Sequence, residues 1–234
     1  MICEVAKYSH IGKRDNNEDS YAVFQNGNTY MAIVADGLGG HANGEIVSKM
    51  AVDHVCTSLL RKQVDEDELA YAIINASTLI RNSRYSGHTT IAALWMQDNF
   101  AVAAHVGDTR IYQIRNGKII YQSVDHSQVQ MAVLVGALAP EAIRKHKDRN
   151  KLFRALGVEN EETKVESNEL NVRSGDRFLL CSDGFWEPVT EADMLRTASQ
   201  TTSAQQWLSA MQRFVTSAND PRQDNHTAIA MIVR

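Results

Sequence analysis

An α+β fold, with helices covering a largely antiparallel sheet or pair of sheets, is the class this sequence predicts. Three observations lead to it: apolar runs of strand length, hairpin punctuation between several of them, and helical periodicity in the segments between the hairpins. The first run is Tyr30 to Ala35 (YMAIVA). Val47, Ala51, Val55 and Leu59 then repeat every four residues, and Leu69, Ile73, Ala76 and Ile80 trace one apolar face, so two amphipathic helices follow in succession. Ile91 to Trp95 and Phe100 to Val106 are strands separated by Asp98-Asn99. Arg110 to Ile114 and Lys118 to Tyr121 are separated by Arg115-Asn116-Gly117, whose Asn-Gly pair suits a tight turn needing positive φ. Ser127 to Asn150 differs: a helical run ends in Gly136-Ala137-Leu138-Ala139-Pro140, and the polar, basic RKHKDRN follows, so residues 127–150 read as a surface excursion between strands. Arg177 to Ser182 (RFLLCS) is the next strand, and Thr190 starts a short helix through Leu195. Ser203 and Gln206 form a capping-box pattern ahead of Trp207, Leu208, Met211 and Val215, and Thr227 to Val233 is the last strand.

The chain has 234 residues, which suits one domain spanning 1–234, since domains commonly run to about 100–200 residues. No repeat, low-complexity segment or linker divides it. Hydrophobic residues at 44% and charged residues at 22% exclude disorder, and three prolines with thirteen glycines exclude a collagen-like chain. A net charge of -4 supplies no basic footprint for nucleic acid. The N-terminal MICEVAKYSHIGKR has no apolar stretch behind a basic start, and no segment approaches the roughly 20 apolar residues of a membrane span, so a cytoplasmic monomer is expected. Cys3, Cys56 and Cys181 read as reduced packing thiols rather than a disulfide or zinc framework.

Acids stand where apolar strands end. YMAIVA ends in Asp36, followed by Gly37; RFLLCS ends in Asp183-Gly184; FAVAAHV ends in Gly107-Asp108; and Asp224-Asn225 precedes the last strand. A carboxylate at a buried strand's end is costly unless a cation or hydrogen-bond donors meet it, and hard divalent ions such as Mg²⁺ or Mn²⁺ are an economical shared partner. Taken singly, an Asp-Gly pair is usually a turn; the recurrence carries the argument. Near the N-terminus, Arg14 offers a planar fork of donors for phosphate oxygens, while Glu18 or Asp19 is placed to hold metal-bound water in an outer shell.

These motifs, in this order, resemble those of the metal-dependent (type 2C, PPM) serine/threonine protein phosphatases in their compact bacterial form. The resemblance runs nearly end to end, through Arg14 to Ser20 (RDNNEDS), Val34 to Glu45 (VADGLGGHANGE), Gly87 to Thr90 (GHTT) and His105 to Tyr112 (HVGDTRIY). It continues through Asp125 to Ser127 (DHS), Arg149-Asn150 with Arg154 to Gly157 (RALG), Cys181 to Trp186 (CSDGFW) and Asp224 to Thr227 (DNHT). It implies an αββα sandwich of two mainly antiparallel sheets flanked by helices. It further implies that Asp36 bridges two ions, with the Gly37 carbonyl on one and Asp183 and Asp224 on the other, and that Asp108 with Asp183 holds a third. Arg14 would bind the substrate phosphate, with Glu18 and Asp19 in the outer shell. A hydroxide bridging two Mn²⁺ or Mg²⁺ ions would then attack phosphorus in line, with no phosphoenzyme.

The chain departs from the pattern in places. Leu38 stands where eukaryotic relatives carry a histidine proposed as general acid, so that proton would come from metal-bound water or another group, His41 being a nearby candidate. His88 reads as a residue of shape alone, and Cys181 as packing rather than a nucleophile. His146-Lys147 replaces the usual His-Pro of the flap at 127–150. The resemblance implies phosphoserine and phosphothreonine proteins as substrates, and as partners a bacterial serine/threonine kinase and a forkhead-associated (FHA) protein, including in type VI secretion. The competing readings are a metal-dependent phosphoesterase acting on a non-protein substrate and an inactive phosphatase fold used as a binding module.

Overall fold

The computed structural model describes residues 1–38, 43–60, 63–159, 162–217 and 221–234. The apolar runs form strands buried on both faces. In β3 (Thr29–Asp36), Met31, Ile33 and Ala35 face one core while Tyr30, Ala32 and Val34 face another, as the two-residue strand period requires. The other strands are β1 (Cys3–His10), β2 (Asp19–Asn26), β4 (Ile91–Gln97), β5 (Phe100–Val106), β6 (Arg110–Arg115), β7 (Lys118–Gln122), β8 (Glu166–Asn171), β9 (Arg177–Cys181) and β10 (His226–Val233).

They form two five-stranded sheets, in the orders β1-β10-β9-β6-β7 and β2-β3-β4-β5-β8. Every ladder between these strands is antiparallel. Helices α1 (Gly44–Leu59) and α2 (Glu66–Arg81) cover the second sheet through Val47, Ala51, Val55, Leu69 and Ile73. On the first sheet, α5 (Glu191–Ser199) and α6 (Ala204–Ser217) pack through Met194, Trp207, Leu208 and Met211. A third cluster, with Leu94, Ile111, Phe178, Leu180, Ile229 and Met231, fills the space between the sheets. The layers therefore run helix, sheet, sheet, helix, as expected. Full burial of each large apolar side chain in these cores contributes about 1.5–3 kcal/mol.

Three strands have no apolar run in the sequence: β1, β2 and β8. All three lie at sheet edges, where one side is solvated and polar residues are tolerated; in β8 (ESNELN) Leu170 is the one buried position. The fourth edge, β7, is found from its turn, where Asn116 and Gly117 take φ of 51° and 72° between the paired Arg115 and Lys118. The strand expected to reach Ser182 stops at Cys181, and Asp183 opens the short helix α4 (Asp183–Trp186).

The capping expectations are met unevenly. Thr190 and Asp193 form a full capping box on α5. At α6, Ser203 Oγ accepts from the Gln206 backbone N–H, but Gln206 Oε1 reaches one residue farther back, to the N–H of Thr202 at 3.2 Å.

The excursion holds α3 (Gln128–Leu134), capped by Ser127, and a 3-10 turn over Pro140–Lys145. Its neck is narrow. Ser127 bridges Leu152, Gln128 N–H donates to the Lys151 carbonyl at 2.9 Å, and Phe153 N–H donates to the His126 carbonyl at 2.9 Å. The arginines of its basic run are docked while Lys145 and Lys147 stay exposed: Arg144 donates to Glu191 Oε1 at 2.7 Å and to the Glu187 carbonyl at 3.2 Å, and Arg149 pairs with Glu187.

Candidate active site

Four separate segments deliver the acids to one cleft of about 890 Å³. Asp36 is the last residue of β3 and Asp183 the first of α4. Asp108 sits in the turn between β5 and β6, and Asp224 lies just before β10. All four line the cleft, together with Gly37, Glu18 and Arg14. Asp19 does not. It is buried opposite Asp36 in the β2–β3 register, with Oδ2 accepting from Ser182 Oγ at 2.8 Å and Oδ1 without a hydrogen-bond partner among the described residues.

The neighbouring motifs hold these acids in place through the backbone. Thr90 Oγ1 accepts from the Asp36 N–H at 3.0 Å, while Thr90 N–H and Thr89 Oγ1 donate to the Asp36 carbonyl, each at 2.8 Å. The Trp186 indole N–H donates to the Asp108 carbonyl at 2.9 Å. Gly37 approaches α1 so closely that a Cβ there would collide with the Gly44 carbonyl, and a Cβ on Gly184 would collide with that of Asn225. Both positions need glycine for that close approach.

Asn225 is a positioning residue that the sequence reading passed over. Its side chain accepts from the Glu18 N–H at 2.8 Å and donates to the carbonyls of Ile11 at 2.8 Å and Asn16 at 2.9 Å. It thereby fastens the loop carrying Arg14 and Glu18 beside Asp224. The signal was present in the Asp224-Asn225 pair, whose second member reads as a turn residue when taken alone.

The electrostatics are those of a site short of cations. Burial, then repulsion from Asp19, Asp183 and Asp108, holds the Asp36 carboxyl well above the usual range. Asp183 is raised in the same way, by burial and then by Asp108 and Glu187. Burial also pushes Asp19 and Asp108 up to about 7, and raises Glu18. Among the described residues, Arg14 is the one cation in ion-pair contact with Asp36, Asp108, Asp183, Asp224, Asp19 or Glu18: its Nη2 lies 2.5 Å from Asp224 Oδ2, and its side chain stays 49% exposed. An oxygen-only donor set, buried and repelling itself, fits hard divalent cations such as Mg²⁺ and Mn²⁺.

A second group, His105, His126 and Glu166, also comes together. It does not converge on an ion. The two imidazoles stack at 4.7 Å with planes 7° apart, so their in-plane lone pairs cannot meet at one point. Gly107 N–H also donates to His126 Nδ1 at 3.1 Å, so the lone pair on that nitrogen is already taken. Leu38 and His88 line the cleft; His41 lies outside the described residues. Cys181 is fully buried and its thiol is pushed up by that burial, so it is a packing residue.

Comparisons with known proteins agree with this geometry. A family model described as protein phosphatase 2C matches residues 7–226. The serine/threonine phosphatase stp of Listeria welshimeri is 34% identical over 197 residues, covering 77% of each chain. Among solved structures, the catalytic domain of the serine threonine protein phosphatase PstP in complex with 2 manganese ions superposes with a TM-score of 0.82 at 27% identity, covering 99% of each chain. PppA, a key regulatory component of T6SS in Pseudomonas aeruginosa, superposes with a TM-score of 0.79 at 25% identity, covering 100% of this chain and 99% of its own.

Proposed function

This chain belongs to the protein phosphatase 2C family, and on that premise we propose that residues 1–234 form one metal-dependent phosphatase unit that hydrolyses phosphoserine and phosphothreonine in proteins. One observation carries the reading: Asp36, Asp108, Asp183 and Asp224 meet in a single cleft with Arg14 at its edge.

Asp36, the Gly37 carbonyl, Asp183 and Asp224 would hold two divalent ions, Mn²⁺ or Mg²⁺, with a third at Asp108 and Asp183. Such ions, when bound, supply Lewis acidity toward phosphoryl oxygens and a nucleophilic water near neutral pH. The remaining work falls to the chain. Arg14, half exposed and held by one N–H to Asp224, has further guanidinium donors to orient phosphoryl oxygens and offset their growing charge. Asn225 keeps Arg14 and Glu18 in register with Asp224. Asp19, hydrogen-bonded through Ser182, steadies the strand pair that presents Asp36. Leu38 offers no proton at its part of the wall.

A partner role follows from the same reading. The enzyme opposes a bacterial serine/threonine kinase and acts on phosphoproteins such as an FHA-domain protein; the likeness to PppA supports a place in type VI secretion control. No helix among the described residues is long and apolar enough to cross a membrane, in keeping with work on dissolved protein substrates.

The test presents purified protein and Mn²⁺ with a phosphothreonine protein, a phosphotyrosine peptide and single-stranded DNA. Loss of phosphate from the first, abolished by excess chelator, is expected. Retained phosphothreonine, or full activity in chelator, would overturn the proposal.

A further inference from the structure

The flap and the residues that follow it, through Arg154, carry cations of two kinds. Arg144 and Arg149 are consumed by Glu187 and Glu191, which lie just beyond Asp183. Lys147, Lys151 and Arg154 are not. Lys147 is exposed, four residues before Lys151; it does not itself line the cleft and has no ion pair among the described residues. Lys151 lines the cleft with its side chain 61% exposed, and its partner Asp148 at 2.8 Å is a neighbour on the same surface. Arg154 also lines the cleft; its guanidinium lies 3.1 Å from His126 Nε2 and over the Phe153 ring, with no carboxylate partner among the described residues. Burial holds His126 down at about 3, so it stays neutral, and Glu166, whose Oε2 lies 3.5 Å from the same ring nitrogen, makes no ion pair with Arg154.

The position of these charges matters. The cleft floor is acidic, but cations bound there would neutralise it. What a phosphoprotein then meets on that wall of the cleft is the positive charge of Lys151 and Arg154, with Lys147 exposed on the segment that leads to them. Exposed pairs such as Lys151–Asp148 contribute little and exchange readily for a better-placed carboxylate. Fields focused at a cleft mouth steer and select partners.

We propose that Lys147, Lys151 and Arg154 make this site selective for phosphoserine and phosphothreonine flanked by acidic residues. The proposal rests on the phosphatase reading above and adds the substrate class to it.

The experiment compares two phosphothreonine peptides of one length, flanked by glutamate in one and by lysine in the other, with the Mn²⁺-loaded enzyme. At low ionic strength, kcat/KM for the acidic peptide should exceed that for the basic one by about tenfold, and the ratio should fall toward one at about 0.5 M salt. In the doubly substituted Lys147→Glu, Lys151→Glu enzyme the ratio should invert. Because it is a ratio taken on one sample, lost fold or active fraction cancels. Equal rates for both peptides, or a ratio unmoved by the charge reversal, would overturn the selectivity while leaving the phosphatase reading intact. If neither peptide is hydrolysed, the phosphatase reading fails, and the same peptides' binding by fluorescence anisotropy decides the selectivity by the same ratio.

Discussion

Two groups of buried carboxylates in this molecule differ in how their charge is met. Asp176, fully buried, accepts from Arg115 Nε at 2.7 Å and Nη2 at 2.6 Å, from Gln113 Nε2 at 2.9 Å and from the Arg173 N–H at 2.9 Å. Asp125 accepts a two-point contact from Arg110 at 2.8 and 2.7 Å, and that guanidinium lies 3.5 Å over the Trp186 ring. At the cleft, Asp36, Asp108 and Asp183 have no such cation among the described residues. A buried acid with its own arginine is architecture, complete within the chain. A cluster of buried acids without one is complete only with something from outside. Burial alone does not separate the two groups; the partner does.

The largest expected effect breaks the architectural side. Asp125→Ala takes the two-point partner away from buried Arg110 and leaves it only Glu191, at 3.3 Å, which should cost about 3–5 kcal/mol of stability, read by urea denaturation. Asp36→Asn should do the opposite: kcat falls by about 10²–10³-fold as site charge is lost, while the melting temperature without metal does not drop. Equal destabilisation by both substitutions would erase the distinction.

Acidity sharpens it further. Asp19 and Asp108 hold protons up to about 7 in the folded chain, against an ordinary aspartate value of about 3.9 when unfolded. Between these values the folded state binds more protons, so their contribution is full below about pH 4 and is lost as pH rises through about 7. Metal-free protein should therefore melt at a lower temperature at pH 7.5 than at pH 5, and saturating Mn²⁺ should reverse that order. A metal-free protein that is more stable at pH 7.5 would contradict it. The smallest effect lies away from both groups: Ser203→Ala removes the α6 cap and should cost about 1 kcal/mol, with kcat/KM unchanged.

Sequence and structure agree best where burial is two-sided. β3, β4, β5, β9 and β10 are interior strands with continuous apolar runs, and all were legible. The edge strands β1, β2 and β8 were not, because a half-solvated strand need not be apolar. The acids were legible for a related reason: Asp36 and Asp108 follow runs too apolar to end in a charge without cause. What sequence could not display was how the site is fastened. Asn225 reaches back to Asn16 and Glu18, and Ser182 to Asp19, across more than 160 positions. Nor could the basic run reveal which of its arginines would meet Glu187 and Glu191.

The narrow neck of the excursion has a consequence for how such a molecule changes over time. Ser127 and Leu152 are bridged, and the cleft side of the return is tied by Leu156 to Thr89 and through it to Gly37. The loop between therefore behaves as a cassette whose ends are already joined, and closure of a longer or shorter loop changes its entropy only slowly with length. Its head can be lengthened, shortened or recharged without moving the carbonyl at Gly37 or the acid at Asp36. Substrate preference is free to diverge in one segment while the chemistry is inherited intact in another.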